Sequence, residues 1–527
     1  MSGLEGSPVT DYDYIVAGGG TAGCVLAARL SEDPGSRVLL LEAGSAELVP
    51  AMMVPDAWPD LVGSAADWGG VTVAQADAGP LPYPRGRGLG GSGAINAMAH
   101  VRAHQAVYDA WAAGGAAGWA YADLLPYFKR SEDTKGRDPA LRGAGGPVRV
   151  APVPETSRHP AAVALAEALC ALGLPVTGDL SGSRQEGVAW PDLAIADGRR
   201  VSPADAYLLP AVHRPNLTVL GGCLVTRLLI SGGRCDGAAY LRDGVPHQAR
   251  ASAEVIVCAG AVGSPQLLML SGIGPAEHLR GTGIDPVADL PGTGANLQDH
   301  PVAMACYASA ARLPRSKYNH GETYSVLSTP LAGAWPDLQV FPILLPVAPP
   351  GLQAPAGGFA LVASAVAPDS RGSVRLASAD PLSAPLVDPG LLREPGEIER
   401  LEAGLGVIRQ AADGAAFARL GVTEAHPGPG IRGGELRAWI RRTVSSYYHP
   451  AGTCRIGSGT DPGAVVDPEL RVHGITGLRV ADASVTPVIP NAHPNATVLA
   501  IAERAASLIA GRPSPGYASA PGRTSGH

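Results

Sequence analysis

The segment from Tyr12 to Gly44, YDYIVAGGGTAGCVLAARLSEDPGSRVLLLEAG, restricts the fold more than any other stretch of the chain. Tyr14, Ile15, Val16 and Ala17 form a short apolar run of the kind buried on both faces of a parallel sheet. Gly18, Gly20 and Gly23 follow as G-x-G-x-x-G. The first permits a tight turn, the second lets a pyrophosphate approach the backbone, and the third lets helix and strand pack closely. Cys24 to Leu30 predicts a helix whose free N–H groups and positive dipole end face a phosphate. Arg37 to Leu41 predicts a second strand, and Glu42 closes it about 20 residues past the last glycine, where a carboxylate accepts bonds from a ribose diol. In a chain with 69 glycines the glycine spacing alone says little. Strand, turn, helix, strand and acid in one unit predict a dinucleotide site, and the acid favours NAD or FAD over NADP.

The rest of the composition narrows the class. At 527 residues the chain can bury a large core and is expected to hold two domains. With 46% apolar and 17% charged residues it is a folded globular protein. A net charge of −7 without a basic cluster argues against nucleic acid or an anionic membrane as partner. Seven scattered cysteines with no C-x-x-C pair predict free thiols in a reducing compartment. The N-terminus lacks the apolar core of a signal peptide, and the apolar stretch Leu338 to Val347 is too short to span a bilayer. The expectation is a cytoplasmic protein.

Residues 44 to 85 read as loop with short elements, among which Asp67-Trp68 stands out. Gly88 to Gly93, in GRGLGGSGAINAMAHVR, offers a second anion-binding turn that opens a helix. Helical spacing follows over 104–130 and 157–173, and residues 216–230 predict a hairpin. A buried strand over 254–259 is expected, then a turn and helix over 260–274. From about 300 to 445 alternating apolar segments (338–345, 358–367, 372–377) predict a second domain built on a mostly antiparallel sheet, with helices over 397–412 and 433–444. A strand over 478–481 and a closing helix over 497–510 precede a low-complexity tail, 511–527, expected to be disordered.

Five separated segments give the chain a family likeness over about residues 11 to 510. They are the opening unit with Glu42-Ala43-Gly44, GRGLGGSGAIN at 86–96, GAVGSPQLLMLSGIG at 260–274, GANLQDH at 294–300, and YHPAGTCRIG at 448–457 followed by GLRVADASVTP at 477–487. The chain resembles the glucose-methanol-choline (GMC) oxidoreductases, in particular bacterial choline-dehydrogenase-like members. The resemblance implies an α/β fold with a Rossmann-like FAD-binding domain (11–150, 200–300 and 446–510) and a substrate domain (151–199 and 301–445). It implies FAD in an extended conformation. Thr21, Ala22, Glu42 and Ala43 would serve the ADP half, and Gly91, Ser92, Asn96, Ala97, Met98 and Ala99 the pyrophosphate and flavin. Val225 would meet adenine through its backbone, Asp482 and Ala483 the pyrophosphate and ribityl side, and Trp68, Tyr448 and Asn495 the cofactor. Where some relatives carry a histidine bonded to the flavin this chain has Ile95, so non-covalent FAD is expected. His100 and Ala103 also depart from the pattern, at positions that bear on the approach to the active site.

Among 13 histidines, His449 is set apart by its place between Tyr447-Tyr448 and the rigid Pro450-Ala451-Gly452-Thr453, and it matches the family's catalytic histidine. His493, in NAHPN, is the second candidate; the alternative is that it caps the closing helix. The chemistry needs such a pair. An alcohol is a very weak acid, so a neutral imidazole must take its proton as the hydride leaves for the flavin, and the second residue orients the oxygen. His300 and His473 read as structural, and Cys454 as packing. A Ser484-His449-Asp482 triad is rejected for want of a nucleophile elbow. No grouping has metal-ligand spacing. The expected activity is oxidation of a primary or secondary alcohol to the aldehyde or ketone, with oxygen or an unidentified carrier reoxidising the flavin. The alternatives are an FAD-containing lyase on the same scaffold and a non-catalytic flavoprotein.

Overall fold

The computed structural model describes residues 10–513 and residue 515. The opening unit folds as its pattern predicts: β1 (Thr10–Ala17), α1 (Thr21–Leu30) and β2 (Val38–Leu41), with every residue of β2 buried. These strands are the parallel core of a seven-stranded sheet, in the order Leu217–Leu220, β2, β1, Val245–Val257, Arg234–Arg242, Cys223–Ser231. The 13-residue strand Val245–Val257 is long because it serves two neighbours besides β1. Its first half pairs antiparallel with Arg234–Arg242, and its last three residues pair parallel with Leu478–Val480.

The hairpin expected over 216–230 does not form. Leu217–Leu220 lies parallel to β2 at one edge of the sheet, while Cys223–Ser231 pairs with Arg234–Arg242 at the other end. Gly221 and Gly222 form a corner that leaves one layer for another: Gly222 donates to the Gly44 carbonyl and Cys223 to that of Glu42. Two β-patterned runs beside a glycine pair look like a hairpin, but the buried edge of β2 offered the first run a better partner.

The second sheet also has seven strands, all antiparallel, in the order Val422–His426, Pro301–Ser309, Phe359–Ala365, Leu338–Ile343, Tyr324–Leu327, Gly187–Ala189, with Ser445–Ser446 on Pro301–Ser309. All seven residues of Phe359–Ala365 are buried, and helix Pro395–Ala412 packs on that strand. The predicted strand over 372–377 forms instead a small ribbon, Ser373–Arg375 with Leu386–Asp388. The fold is thus mixed α/β, with one largely parallel and one antiparallel sheet.

The closing helix, Pro494–Ile509, packs along α1 and brings the buried Glu503 to Arg29 and Arg130, with the Tyr207 hydroxyl donating to it at 2.9 Å. All seven cysteines are free. Among the described residues no helix is long and apolar enough to cross a membrane. Most of the tail read as disordered lies outside the described residues.

Candidate active site

At the dinucleotide end, two glycine turns meet backbone to backbone. A Cβ on Gly23 would fall 1.9 Å from the Gly18 carbonyl, so helix and strand could not close with any other residue. Gly91 has φ +52°, and a Cβ there would fall 2.7 Å from Gly20 Cα. α1 starts after Gly20, which offers no side-chain cap, and has no acid in its first turn. The hydroxyl of Thr21 donates to Asn495 Oδ1 at 2.9 Å, which brings in the start of the closing helix, also uncapped by a side chain. Ala22 is buried under the turn and Ala43 partly so.

The carboxylate of Glu42 does more than a ribose ligand needs. It is buried and accepts three backbone N–H bonds, from Gly19 at 2.7 Å, Gly44 at 2.8 Å and Gly88 at 2.9 Å. One side chain therefore ties the first glycine turn to the second. Burial raises its pKa, against the pull of those three donors.

Beyond Gly91, Ser92 Oγ accepts from Gly86 N–H at 3.1 Å, and Asn96 Oδ1 accepts from Met98 N–H at 2.9 Å and from Arg200 Nη1 at 2.8 Å. Met98 sits at φ +56°, and the Ala97 carbonyl accepts from Asn319 Nδ2. Ala99 bridges to Leu193. Among the described residues Arg200 is buried without an ion-pair partner and its Nη2 meets no acceptor, and burial pulls its pKa down to about 9. An uncapped helix end, a bare backbone turn and an unpaired buried guanidinium suit an anionic dinucleotide, so these residues fit FAD.

The other expected cofactor residues fall as follows. Asp482 Oδ2 accepts from Gly260 N–H and Ser264 Oγ, Oδ1 accepts from Ser484 N–H, and the Ala483 carbonyl accepts from Gly452 N–H. Val225 lies partly exposed in Cys223–Ser231 at the sheet's end. Trp68 is 48% exposed, with the Arg87 guanidinium 4.9 Å from its ring centre. His100 is turned to a buried ion cluster, 3.1 Å from Glu132, which also holds Arg102 and Arg142.

The second half of the site is assembled from distant segments. Tyr448 takes the left-handed conformation, φ +64°, with its N–H on Ser446 Oγ at 2.7 Å and its carbonyl on Arg85 Nη2 at 2.5 Å. That strained corner aims His449. Asp299 secures it: Oδ1 accepts the N–H groups of both His449 (2.9 Å) and His300 (2.8 Å), and Oδ2 accepts the hydroxyls of Tyr83 (2.7 Å) and Ser446. The rings of His300 and His449 then meet with their Nδ1 atoms 3.0 Å apart. His493 stands with its ring 5.2 Å from that of His449, at 73°, and its Nε2 lies 3.0 Å from the Tyr447 hydroxyl.

All three imidazoles are held neutral. Burial first, then competition with His493, His300 and Arg85, keeps His449 well below the usual range. Burial pulls His493 down to about 3, and burial with His493 pulls His300 down to about 3. Among the described residues His300 Nε2 has no hydrogen-bond partner, and the Val366 backbone only softens the fall by favouring a proton on that ring.

The structure thus brings His449 and His493 together, and adds His300 and Tyr447, which the sequence did not place there. His300 read as structural, yet it faces the base candidate directly. Its signal was its adjacency to an acid in LQDH, although nothing local showed what the acid would hold. His493 occupies the residue before the closing helix but makes no side-chain cap, which disposes of the capping alternative. Among the described residues no group of acids, cysteines and histidines could hold a metal ion.

Comparison with known proteins identifies the family. Family models described as GMC oxidoreductase match residues 12–302 and 368–502. The mitochondrial choline dehydrogenase of Homo sapiens is 38% identical over 95% of this chain and 90% of its own length. The oxygen-dependent choline dehydrogenase of Sinorhizobium medicae is 37% identical, with 95% and 96% covered. Among solved structures, pyridoxine 4-oxidase from Mesorbium loti superposes with a TM-score of 0.90 at 36% identity, covering 94% of this chain and 98% of that one.

Proposed function

The chain belongs to the GMC oxidoreductases, FAD-dependent enzymes acting on CH–OH donors, and from that premise we propose that it oxidises a small alcohol to the carbonyl compound with His449 as the base. FAD, when bound, supplies the hydride acceptor at flavin N5. Gly18, Gly20, Gly23, Glu42, Gly91, Asn96 and Asn495 are the residues that would hold it, and Ile95, which offers no nucleophile, leaves it dissociable.

The observation that carries the reading is the contact between the two Nδ1 atoms of His449 and His300. One hydrogen serves both atoms. We assign the His300 proton to Nε2, so that its Nδ1 accepts and His449 Nδ1 donates. His449 Nε2 then carries the free lone pair, and among the described residues no group bonds it. It can take the hydroxyl proton as the C–H bond gives up its hydride. His493 orients the substrate oxygen, and Tyr447 fixes His493 through its hydroxyl. Because the site is buried, both imidazoles rest neutral, which avoids two like charges in contact.

The test is anaerobic mixing of the yellow holoprotein with a panel of primary and secondary alcohols. Bleaching of the flavin band by at least one is expected, and FAD should stay in solution when the protein is precipitated with acid. No bleaching by any alcohol would overturn the reading.

A further inference from the structure

Beside the histidines four rings stand in a row, Tyr324, Phe341, Tyr447 and His449. Successive centres are 5.4, 4.7 and 4.3 Å apart, with interplanar angles of 25°, 4° and 28°. Each ring stacks on the next, so the inner two, Phe341 and Tyr447, spend their faces on their neighbours. His493 stands across the row, at 87° to Tyr324 and 72° to Tyr447. An aromatic ring is negative on its face and positive at its edge. A quaternary ammonium is gripped by open faces, and the row has spent those of Phe341 and Tyr447.

The buried charges nearest the histidines offer a substrate cation no open partner. Arg85, buried and bonded to the Tyr448 carbonyl, is the near cation. The near carboxylate, Asp299, has both oxygens taken by Tyr83, Ser446 and the backbone of His300 and His449. Just before the strands that carry Tyr324 and Phe341, Glu322 is spent on Ser316 Oγ and His159 N–H, and Asp337 on Arg400. The buried groups that disfavour a charge on His449 are His493, His300 and Arg85.

In choline the ammonium lies two carbons from the hydroxyl. A hydroxyl placed at His449 therefore carries the cation into the same desolvated space, beside Arg85 and an Asp299 whose oxygens are already bonded. An uncharged group of the same shape escapes that cost. Resting on the assignment of His449 and His493 as the alcohol site, we infer that the substrate is an uncharged alcohol with an apolar body, and that quaternary-ammonium alcohols are disfavoured. The relatives named choline dehydrogenases would then share this chain's fold and cofactor but not its substrate.

The test compares choline with 3,3-dimethylbutan-1-ol, which replaces the cationic nitrogen by carbon and keeps the shape. FAD-loaded protein is titrated with each, the flavin absorbance reporting binding, and flavin reduction is then followed anaerobically. The neutral alcohol is expected to bind at least about 10-fold more tightly, the effect of some 1.4 kcal/mol, and to reduce the flavin with the greater kred/Kd. Choline binding as well or better, or neither alcohol binding, overturns the inference. A flavin that no alcohol reduces would instead overturn the oxidation itself, while the titration still judges the charge preference. Phe341→Leu frees a face of Tyr447 and should narrow the gap; a gap left unchanged removes the ring row as its cause.

Discussion

The two halves of this site solve opposite problems with buried titratable groups. At the dinucleotide end Glu42 is satisfied by three backbone N–H groups from two nearby turns, so its work is to fix backbone shape. At the alcohol end three imidazoles are stripped of water and left partly unpaired, with His300 Nε2 and His493 Nδ1 lacking partners among the described residues. The first half is saturated and rigid. The second keeps proton-bearing atoms unspent, at a cost in stability that a purely structural cluster would not carry. Binding and chemistry should therefore separate under mutation.

The largest separation is expected at His449. His449→Ala removes the base and should slow flavin reduction by about 10²-fold or more, while FAD stays bound, because its contacts lie in the other half. His493→Asn should cost far less, since an amide still donates to the substrate oxygen. Stopped-flow reduction with the best alcohol measures both. A greater loss in the His493 variant would reverse the two roles, and no loss in either would move the chemistry elsewhere.

Glu42 should fail the other way round. Glu42→Gln presents an amide N–H₂ where one of three backbone N–H groups needs an acceptor, and a buried donor left unmet costs about 1–3 kcal/mol. FAD occupancy and thermal midpoint should both fall, while the fraction that retains FAD reduces at the parent rate. Unchanged occupancy would mean that Glu42 neither holds the ribose nor shapes the turn.

The contrast also explains what could be read from the sequence. Strand, glycines, helix and acid lie within one short run, and backbone geometry alone ties Gly18, Gly23 and Glu42 together, so that half was legible. His449 was legible through the rigid segment that follows it. His300 was not, because its partner lies 149 residues away and only the antiparallel sheet brings them together. The ring row failed to register for the same reason: Phe341 reads as an ordinary strand residue until Tyr324 and Tyr447 stack on it. The false hairpin at 216–230 shows the limit of local pattern in the first half too, since β2 chose the partner.

The smallest effect is expected at His300, and it tests whether the neutral cluster is arranged for the base. His300→Leu fills the space but leaves His449 Nδ1–H without an acceptor. One hydrogen bond is worth about 1 kcal/mol net, or near fivefold in rate. FAD binding should not change. A second readout separates positioning from packing. In the fold His300 stays neutral down to about 3, whereas unfolded it titrates near 6.5. Between those values the unfolded chain holds more protons, so stability falls as pH drops through that window. Removing His300 should make the fall shallower by one proton in an acid-unfolding series, even as the reduction rate declines. Because His449 is itself held well below 6.5, the parent reduction rate should stay flat from neutral pH to well under that value. An acid limb near 6.5 would show that the base is not desolvated. An unchanged rate with an unchanged acid slope would leave His300 outside the site.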